Sequence, residues 1–395
     1  MTIDTGVLIV GGGPAGLATA LALCQRGIAV TVADAMKPPI DKACGEGLMP
    51  DALRDLAALG VELTVEDGAE FHGIRFVDHG SGVDGRDGGQ RQATAQFPAD
   101  GFAPASGIGL RRQTLHSRLV AKAEECGVNL RWEHQVQLRP DGQVLVAGRD
   151  VRYEWLIGAD GQGSRVRSWA GLGDGKILSR RFGFRRHYRV RPWSRFVEVH
   201  WGKSGQAYVT PVGPNEVCVA TVARDAKMRM EPLLDEMPLL RERLGIAASR
   251  ESSAIDRERG ALTTTLRLRR VARGNVALAG DASGSVDAIT GEGMGLAFRQ
   301  ALLLAECIHT RNMVRYQTLH RKTLHLPQTM ATVMLILDRR EVFRRRTLQL
   351  LSSRPDLFAR MLGVHLGAES LPRFVASRGL ELAWRLAVPS GILEG

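Results

Sequence analysis

The chain has 395 residues, of which 44% are hydrophobic and 24% charged, with a formal net charge of +11. This length allows two or three buried cores, and the composition is that of an ordinary globular protein. The positive charge is concentrated in Arg180–Arg195 and Arg311–Arg346. Because no nucleic-acid motif accompanies it, the charge favours solvated faces, an anionic cofactor or a membrane surface over nucleic acid.

The chain start and the cysteines bear on the compartment. No apolar run precedes Val7, which predicts the absence of a signal peptide, and Met330–Leu337 is too short to span a membrane. The cysteines lack metal-ligand spacing, and we expect no metal site. They are Cys24, Cys44, Cys126, Cys218 and Cys307. These features predict a reduced, cytoplasmic protein.

The first elements form a βαβ unit. Val7–Val10 is an apolar run typical of a buried parallel strand, and Leu17–Leu23 favours a helix. Ile28–Ala33 predicts a second strand, closed by Asp34. The turn between the first strand and the helix carries G-x-G-x-x-G, the pattern of a dinucleotide-binding site.

Each glycine of this turn has a mechanical role. Gly11 permits the tight turn, Gly13 lets the backbone approach a pyrophosphate, and Gly16 lets helix and strand pack closely. The helix N-terminus would face the phosphates, and Asp34 would accept hydrogen bonds from a ribose. An acid here disfavours a 2′-phosphate, so we expect an NAD-like ligand or FAD.

Two further segments are candidates for cofactor contact. The loop from Lys42 to Gly47 places Cys44 and Glu46 between glycines, so it could approach a flat ligand closely. Arg112 lies at the predicted start of a helix, where a positive charge opposes the helix dipole unless an anion is near. Arg112 is therefore a candidate phosphate ligand, with an ordinary surface arginine as the alternative.

The middle of the chain reads as antiparallel sheet. Strand patterns occupy Phe71–Phe97, with a predicted hairpin tip at Gly80–Gly89, and recur through Arg180–Val222. Glu231–Leu244 predicts one amphipathic helix, and Leu262–Leu268 is expected to return the chain to the first domain.

Two later strands also end in an acid with glycines nearby. Trp155–Gly158 leads to Asp160 and Gly161, followed by Ser164 as a predicted helix cap. The strand Val276–Ala279 leads to Asp281. Gly291 and Gly293 then precede a predicted helix, repeating the backbone presentation of the opening turn. Beyond residue 311 the sequence is helical and basic, and its apolar stripe is read as core, with a partner or membrane face as the alternative.

The three acid-ended motifs together resemble the fingerprints of the flavoprotein family of para-hydroxybenzoate hydroxylase and geranylgeranyl reductase. The resemblance covers residues 1 to about 310 and implies FAD as the cofactor, with its ADP part on the first motif. Arg167 belongs to the middle motif, which in that family serves the cofactor. The cofactor-binding residues expected on this basis are Gly11, Gly13, Pro14, Ala15, Gly16, Asp34, Lys42, Cys44, Gly45, Arg112, Asp160, Gly161, Asp281, Gly291, Gly293 and Met294.

The resemblance also implies the fold. We expect a Rossmann-like parallel-sheet domain that binds FAD, formed by residues 1–72, 100–175 and 262–310. A mainly antiparallel substrate-binding sheet would comprise residues 73–99 and 176–261, followed by a C-terminal helical region, 311–395. The substrate pocket is expected between FAD and this sheet, walled by Phe184, Phe196, Tyr208 and Pro211.

Two activities are compatible with the resemblance, and both take electrons from NAD(P)H. We favour oxygen-dependent hydroxylation or epoxidation of a lipophilic aromatic or polyketide-like molecule. The alternative is hydride reduction of a carbon–carbon double bond in an isoprenoid or other lipid, since the loop at Cys44 is similar to that of geranylgeranyl reductases, where the cysteine lies near the flavin. A non-catalytic flavin-binding or membrane-surface protein is the third possibility. The basic C-terminal helices could contact a membrane peripherally.

Overall fold

The computed structural model describes residues 3–80, 91–99, 106–246 and 253–377. Its strands are β1 (Ile3–Val10), β2 (Val30–Ala33), β3 (Gly47–Leu48), β4 (Ala69–Phe71), β5 (Gly73–Asp78), β6 (Arg91–Gln96), β7 (Gly107–Gly109), β8 (Asn129–Arg131), β9 (Val136–Leu138), β10 (Val144–Val146), β11 (Arg149–Gly158), β12 (Gly175–Tyr188), β13 (Val197–Trp201), β14 (Gly205–Gly213), β15 (Glu216–Ala223), β16 (Arg259–Leu268), β17 (Ala272–Arg273) and β18 (Val276–Leu278). Its α-helices are α1 (Pro14–Cys24), α2 (Pro50–Ala58), α3 (Arg112–Glu125), α4 (Arg165–Trp169), α5 (Met230–Asp235), α6 (Pro238–Arg243), α7 (Gly293–His309), α8 (Met313–Arg339), α9 (Glu341–Ser353) and α10 (Pro355–His365).

One of the two large sheets is mainly parallel. Its strand order is β17-β18-β11-β1-β2-β8, with β10 beside β11 and β9 beside β10. The strands β18, β11, β1, β2 and β8 run parallel to one another. Helix α1 packs against α3 and α7, and their side chains form one apolar core with β1 and β2. Burial on both faces explains the continuous apolar strands of the sequence.

The other large sheet has seven strands, in the order β16-β12-β15-β14-β13-β5-β6. Its pairs are antiparallel except for β13 and β5, which are parallel. Helices α5 and α6 share a core with β14 and β15, whereas α9 and α10 pack against β6. The predicted fold class is thus confirmed, and the C-terminal helices cover this sheet.

The structure differs from two sequence-based expectations. The single helix predicted over Glu231–Leu244 is two short helices, because Pro238 lacks the N–H needed to continue α5 and instead begins α6. The segment Leu262–Leu268 belongs to β16, which pairs with β12 in the seven-stranded sheet. The parallel domain therefore resumes after that strand, later than predicted.

Two other expectations lie partly outside the described residues. The predicted hairpin tip continues beyond Gly80 into residues 81–90, although β5 and β6 on either side do pair as antiparallel strands. The C-terminal region is described as far as residue 377 and is helical through α10.

Candidate functional site

The three acid-ended motifs meet at one edge of the parallel sheet. Val10 at the end of β1 pairs with Gly158 at the end of β11, which in turn pairs with Leu278 of β18. Parallel strands present their carboxyl ends on one side, where open α/β sheets bind ligands. The chain thereby brings Asp34, Asp160 and Asp281 around a single cavity.

The opening turn has the tight geometry expected of its glycines. Gly11 has a φ of +110°, and a Cβ there would lie 2.4 Å from the carbonyl oxygen of Ala159. A Cβ on Gly16 would lie only 1.9 Å from the oxygen of Gly11. In contrast, a Cβ on Gly13 would point into open space. Gly16 therefore serves packing beneath the turn, whereas Gly13 leaves room above it.

Asp34 fixes the position of this turn. Its carboxylate accepts hydrogen bonds from the backbone N–H groups of Gly12, at 2.6 Å, and Met36, at 2.7 Å. Each oxygen retains a further lone pair that a ribose hydroxyl could use. The acid thus combines a structural role with an accessible position on the cavity wall.

The cavity has a volume of about 990 Å³. Except for Gly16, every residue expected to bind the cofactor lines it. Those residues are Gly11, Gly13, Pro14, Ala15, Asp34, Lys42, Cys44, Gly45, Arg112, Asp160, Gly161, Asp281, Gly291, Gly293 and Met294. Residues separated by more than 280 positions in sequence thus share one wall.

Several local features fit a flavin dinucleotide in this cavity. A Cβ added to Gly161, Gly291 or Gly293 would meet open space, so these backbones are accessible to a flat ligand. The first turn of α1 has no side-chain cap, which leaves N–H groups available to a phosphate. The Nε of Arg112 is buried and has no hydrogen-bond partner among the described residues. An anionic ligand would satisfy both.

The middle motif holds the wall together. Asp160 accepts hydrogen bonds from the hydroxyl of Ser164, at 2.5 Å, and from the N–H of Arg165, at 2.7 Å. Ser164 caps α4 by accepting from the N–H of Arg167, as predicted. The Arg167 guanidinium donates to the carbonyl of Ala282 at 3.0 Å, which ties the middle motif to the third one.

The loop at Cys44 closes one side of the cavity. The sulfur of Cys44 lies 4.0 Å from that of Met294, and the carbonyl of Gly45 accepts from the Thr210 hydroxyl at 2.8 Å. The Lys42 ammonium lies 3.4 Å from the Asp281 carboxylate. These contacts join the loop to the sheet and to both flanks of the third motif.

Behind this loop lies a buried ionic cluster that the sequence interpretation missed. Glu46 Oε2 lies 2.6 Å from His187 Nε2, and His187 Nδ1 lies 2.7 Å from an Asp256 oxygen. Arg185 contacts Asp256 at 2.9 Å and Asp41 at 2.5 Å. Arg185 and His187 alternate along β12 on its buried side. Polar residues at alternate positions of a buried strand are the signal that could have found them.

The cluster also brings three metal-ligand side chains together, since Glu46, His187 and Cys218 have donor atoms within 4.8 Å of one another. Burial raises the pKa of the Cys218 thiol well above its usual range, which opposes thiolate formation. Glu46 and His187 are already hydrogen-bonded, and the Arg185 guanidinium lies beside them. The geometry therefore favours an ion-pair network over a metal centre.

The cavity continues away from the glycines into an apolar end. Met330, Val333, Met334 and Leu337 of α8 line it, so the C-terminal apolar stripe faces this space. The opposite wall comes from the seven-stranded sheet and the remaining side from α9 and α10. These walls include Phe71, Ile74, Phe76, Val197, Val199, Leu351, Phe358, Met361 and Leu362.

Two of the four expected substrate-pocket residues lie in this wall. Phe184 and Tyr208 line the cavity, and the Tyr208 hydroxyl donates to the carbonyl of Ile289 at 2.8 Å. Phe196 and Pro211 do not line the cavity and instead flank a small cleft elsewhere on the sheet. Side chains alternate between the faces of a strand, so Pro211 faces away from Tyr208 and Thr210.

A largely buried carboxyl lies at the start of α7. Glu292, the residue between Gly291 and Gly293, has one oxygen 3.5 Å from Nε2 of His365 on α10. Its other oxygen is buried and has no hydrogen-bond partner among the described residues. Burial raises the pKa of this carboxyl, an effect that nearby His365 and Arg299 partly oppose.

Comparison with known proteins agrees with this geometry. Residues 4–312 match the family model described as FAD binding domain. The chain belongs to that family. The resemblance drawn from the three motifs is thereby confirmed, and the protein is an FAD-dependent oxidoreductase.

Relatives with established names cover most of the chain. A menaquinone reductase of Mycolicibacterium smegmatis is 28% identical over 350 residues, which is 80% of each chain. A flavoprotein/dehydrogenase from Cytophaga hutchinsonii has the same fold, with a TM-score of 0.74 at 16% identity over 92% of this chain and 93% of that one. A 2-methyl-3-hydroxypyridine-5-carboxylic acid oxygenase has a TM-score of 0.67 at 22% identity, covering 85% and 93% of the two chains. These structural likenesses concern the fold.

Within the described part of the chain, none of the helices combines the length and apolar character that crossing a bilayer requires.

Proposed function

We propose that this protein reduces a carbon–carbon double bond in a lipid with a long apolar chain, with electrons drawn from NAD(P)H through FAD. The observation that carries the proposal is the continuity of the cavity from the glycine-lined end to the apolar end walled by α8, α9, α10 and the sheet. An extended apolar chain would fill the latter while one of its carbons lies near the former.

Two further observations support reduction over hydroxylation. The relative with 28% identity over 80% of both chains is named as a reductase of menaquinone, a quinone that carries a polyisoprenoid chain. The loop from Lys42 to Gly47, which resembles that of geranylgeranyl reductases, lines the cavity beside Gly291 and Gly293. FAD, when bound, would supply two-electron chemistry by accepting and donating a hydride.

The residues of the chain would bind the reactants, orient them and shield them from water. The N–H groups of α1 and the Arg112 side chain would hold the anionic part of FAD. Phe184, Tyr208 and Met334 would exclude water from the reacting carbon. Tyr208 also holds the turn at Ile289, so the wall next to Gly291 is fixed in place.

Anaerobic turnover tests this function. Purified FAD-loaded protein would be mixed with NADPH or NADH and menaquinone without oxygen, and the lipid analysed by mass spectrometry. We expect a product heavier by two hydrogens in its apolar chain. A strict need for oxygen, with labelled oxygen entering the product, would instead establish hydroxylation.

We also propose that the protein collects its substrate from an anionic lipid surface. Val333 of α8 and Leu262 of β16 line the cavity and are 38% and 48% exposed, so both lie at its rim. Val333, Ile336 and Arg339 follow at helical spacing on α8, and all three are exposed, as is Arg340 directly after the helix. Apolar and cationic side chains therefore lie together at this end of α8.

Vesicle sedimentation tests this surface. We expect binding to vesicles with anionic headgroups and much weaker binding to neutral ones. The variant Ile336→Asp should reduce binding, whereas Val65→Asp, a change at a more exposed valine on a loop after α2, should not. If both variants sediment with the vesicles as well as the unaltered protein does, the proposal is contradicted.

A further inference from the structure

A chain of hydrogen-bonding groups leads from the cavity towards solvent. Glu46 contributes to the cavity wall and is 1% exposed, as is His187, the next member. Asp256, the outer member, is 29% exposed. The two links measure 2.6 Å and 2.7 Å, so each is short enough for proton transfer. The imidazole thus lies in line between an internal and a half-exposed carboxylate.

A purely structural clamp on the loop would not need this arrangement. Arg185 already fixes the loop by its contact with Asp41, which Arg259 also holds at 2.7 Å. Glu46 is further held by the N–H of Arg112 at 2.9 Å. The histidine adds two opposed nitrogens: Nε2 faces Glu46, and Nδ1 faces Asp256 at 2.7 Å, with Nη1 of Arg185 2.9 Å from the same nitrogen. This is the geometry by which imidazole takes a proton on one side and releases one on the other.

The proposed reaction needs a supply of protons to the cavity. Reduction of the double bond forms two C–H bonds: one receives the hydride that originates in NAD(P)H, and the other receives a proton. Electrons and atoms then balance as NAD(P)H plus H⁺ plus alkene giving NAD(P)⁺ plus the saturated product. The apolar walls exclude water from the reacting carbon, and they therefore also exclude the protons that water would supply.

We propose that Asp256, His187 and Glu46 form a proton relay that carries this proton from solvent to the cavity. The inference rests on the proposed reduction. The His187 imidazolium passes its Nε2 proton to Glu46, Glu46 releases that proton at the cavity wall, and a proton arriving from solvent through Asp256 restores the imidazolium. Asp256 also accepts the backbone N–H of His187 at 3.0 Å, which holds the imidazole in register. Asp256 and His187 are therefore positioning and relay residues.

The charges around the imidazole favour a stored proton. Burial alone would lower the pKa of His187, but hydrogen bonds to Glu46 and Asp256 outweigh it and raise the pKa above the usual histidine value. Arg185 beside it opposes this rise, and Cys218 faces it as a neutral thiol. The remaining charges near the network are Asp41, Arg259 and Arg111, of which Arg111 is paired with Glu216.

The first test needs no substrate. Nitrogen NMR of histidine-labelled, FAD-loaded protein would follow the titration of His187 in the unaltered protein and in Glu46→Gln and Asp256→Asn. We expect His187 to carry both ring protons to a higher pH than a free histidine, and each substitution to lower its midpoint. A His187 midpoint that neither substitution moves would overturn the relay.

The second test is a single anaerobic turnover with menaquinone as the probe. We expect His187→Gln to slow product formation roughly a hundredfold, the lower part of the range for a positioned proton transfer. The matched control is His200→Gln, since His200 is an equally buried histidine of the same sheet, bonded to Glu198 at 3.0 Å outside the cavity wall. Reduction of FAD by NADPH needs no proton from the relay and should be unchanged in both.

The outcomes separate the two proposals. If the unaltered protein turns over and His187→Gln matches His200→Gln, the relay is wrong while the reduction stands. A slow rate in His187→Gln, with a larger ratio of rates in H2O and D2O than the unaltered protein shows, supports the relay. If menaquinone is left unchanged by the unaltered protein, the proposed substrate fails, and the NMR titration alone decides whether the three groups share a proton.

Discussion

The two ends of the cavity are built in different ways. The cofactor end is built mainly from glycine turns and acids that follow strands β1, β2, β11 and β18. The apolar end consists of side chains that come from the seven-stranded sheet and from α8, α9 and α10. The first depends on short sequence motifs, whereas the second depends on how distant elements pack. Variants at each end should therefore fail in different ways.

The largest expected effect is the difference between substitutions at two glycines of one motif. Gly16→Val would place a Cβ 1.9 Å from the Gly11 oxygen, so we expect a loss of more than about 3 kcal/mol and failure to accumulate folded protein. A Cβ on Gly13 meets no protein atom within 4 Å, so Gly13→Val should fold but fill the space needed by the pyrophosphate. Circular dichroism and the FAD content of the purified protein check both. Recovery of Gly13→Val with its full complement of FAD would contradict this role.

The next effect concerns the apolar end. Met334→Trp would fill part of the cavity from α8, and we expect kcat/KM for the lipid to fall roughly tenfold or more while FAD content is unchanged. Val342→Trp is the control, because Val342 is 66% exposed on α9. Equal kinetics for the two variants would show that the substrate does not enter this end.

A smaller effect is expected at the loop that joins the ends. Cys44→Ser replaces a polarizable sulfur beside Met294 with a hydroxyl, and we expect a shift of the visible flavin band and a modest loss of turnover. Cys126→Ser changes a cysteine outside the cavity wall and should leave the spectrum unaltered. An unchanged spectrum and rate in Cys44→Ser would show that Cys44 has only a packing role.

The smallest expected effect is one of stability. Because burial raises the pKa of Glu292 in the folded state, stability falls as the pH rises from the ordinary carboxyl pKa through the raised one. Glu292→Gln cannot ionise, so its melting temperature should rise relative to the unaltered protein across that range and converge with it at acidic pH. Glu62→Gln, at an exposed site, should show no such trend.

The same contrast explains what the sequence could predict. Gly11, Asp34, Asp160 and Asp281 were expected at one cavity because each follows a recognisable strand, and parallel strands end on the same side. A local motif carries this information within a few residues. The architecture of sheets and C-terminal helices was likewise accessible from apolar periodicity.

The ionic cluster and the apolar wall were not accessible in this way. Glu46, His187 and Asp256 are separated by up to 210 positions, and only strand pairing brings them together. Phe196 and Pro211 were expected in the substrate pocket but flank a small cleft instead, because the face that a residue of a sheet presents depends on tertiary packing. The break at Pro238, which the sequence analysis also missed, could have been predicted, because the effect of proline on a helix is local.

The order of strands in the parallel sheet bears on how the protein acquires FAD. β1 lies between β2 and β11, and β18 joins only beyond β11, so three chain segments spread over more than 270 residues must meet before the cavity edge exists. Pairing over such separations is slow, because loop closure is costly before the contacts form. A ribosome-bound chain would thus lack a complete site until β18 emerges. We therefore expect FAD to be captured after synthesis of the whole sheet and to stabilise the finished fold by mass action.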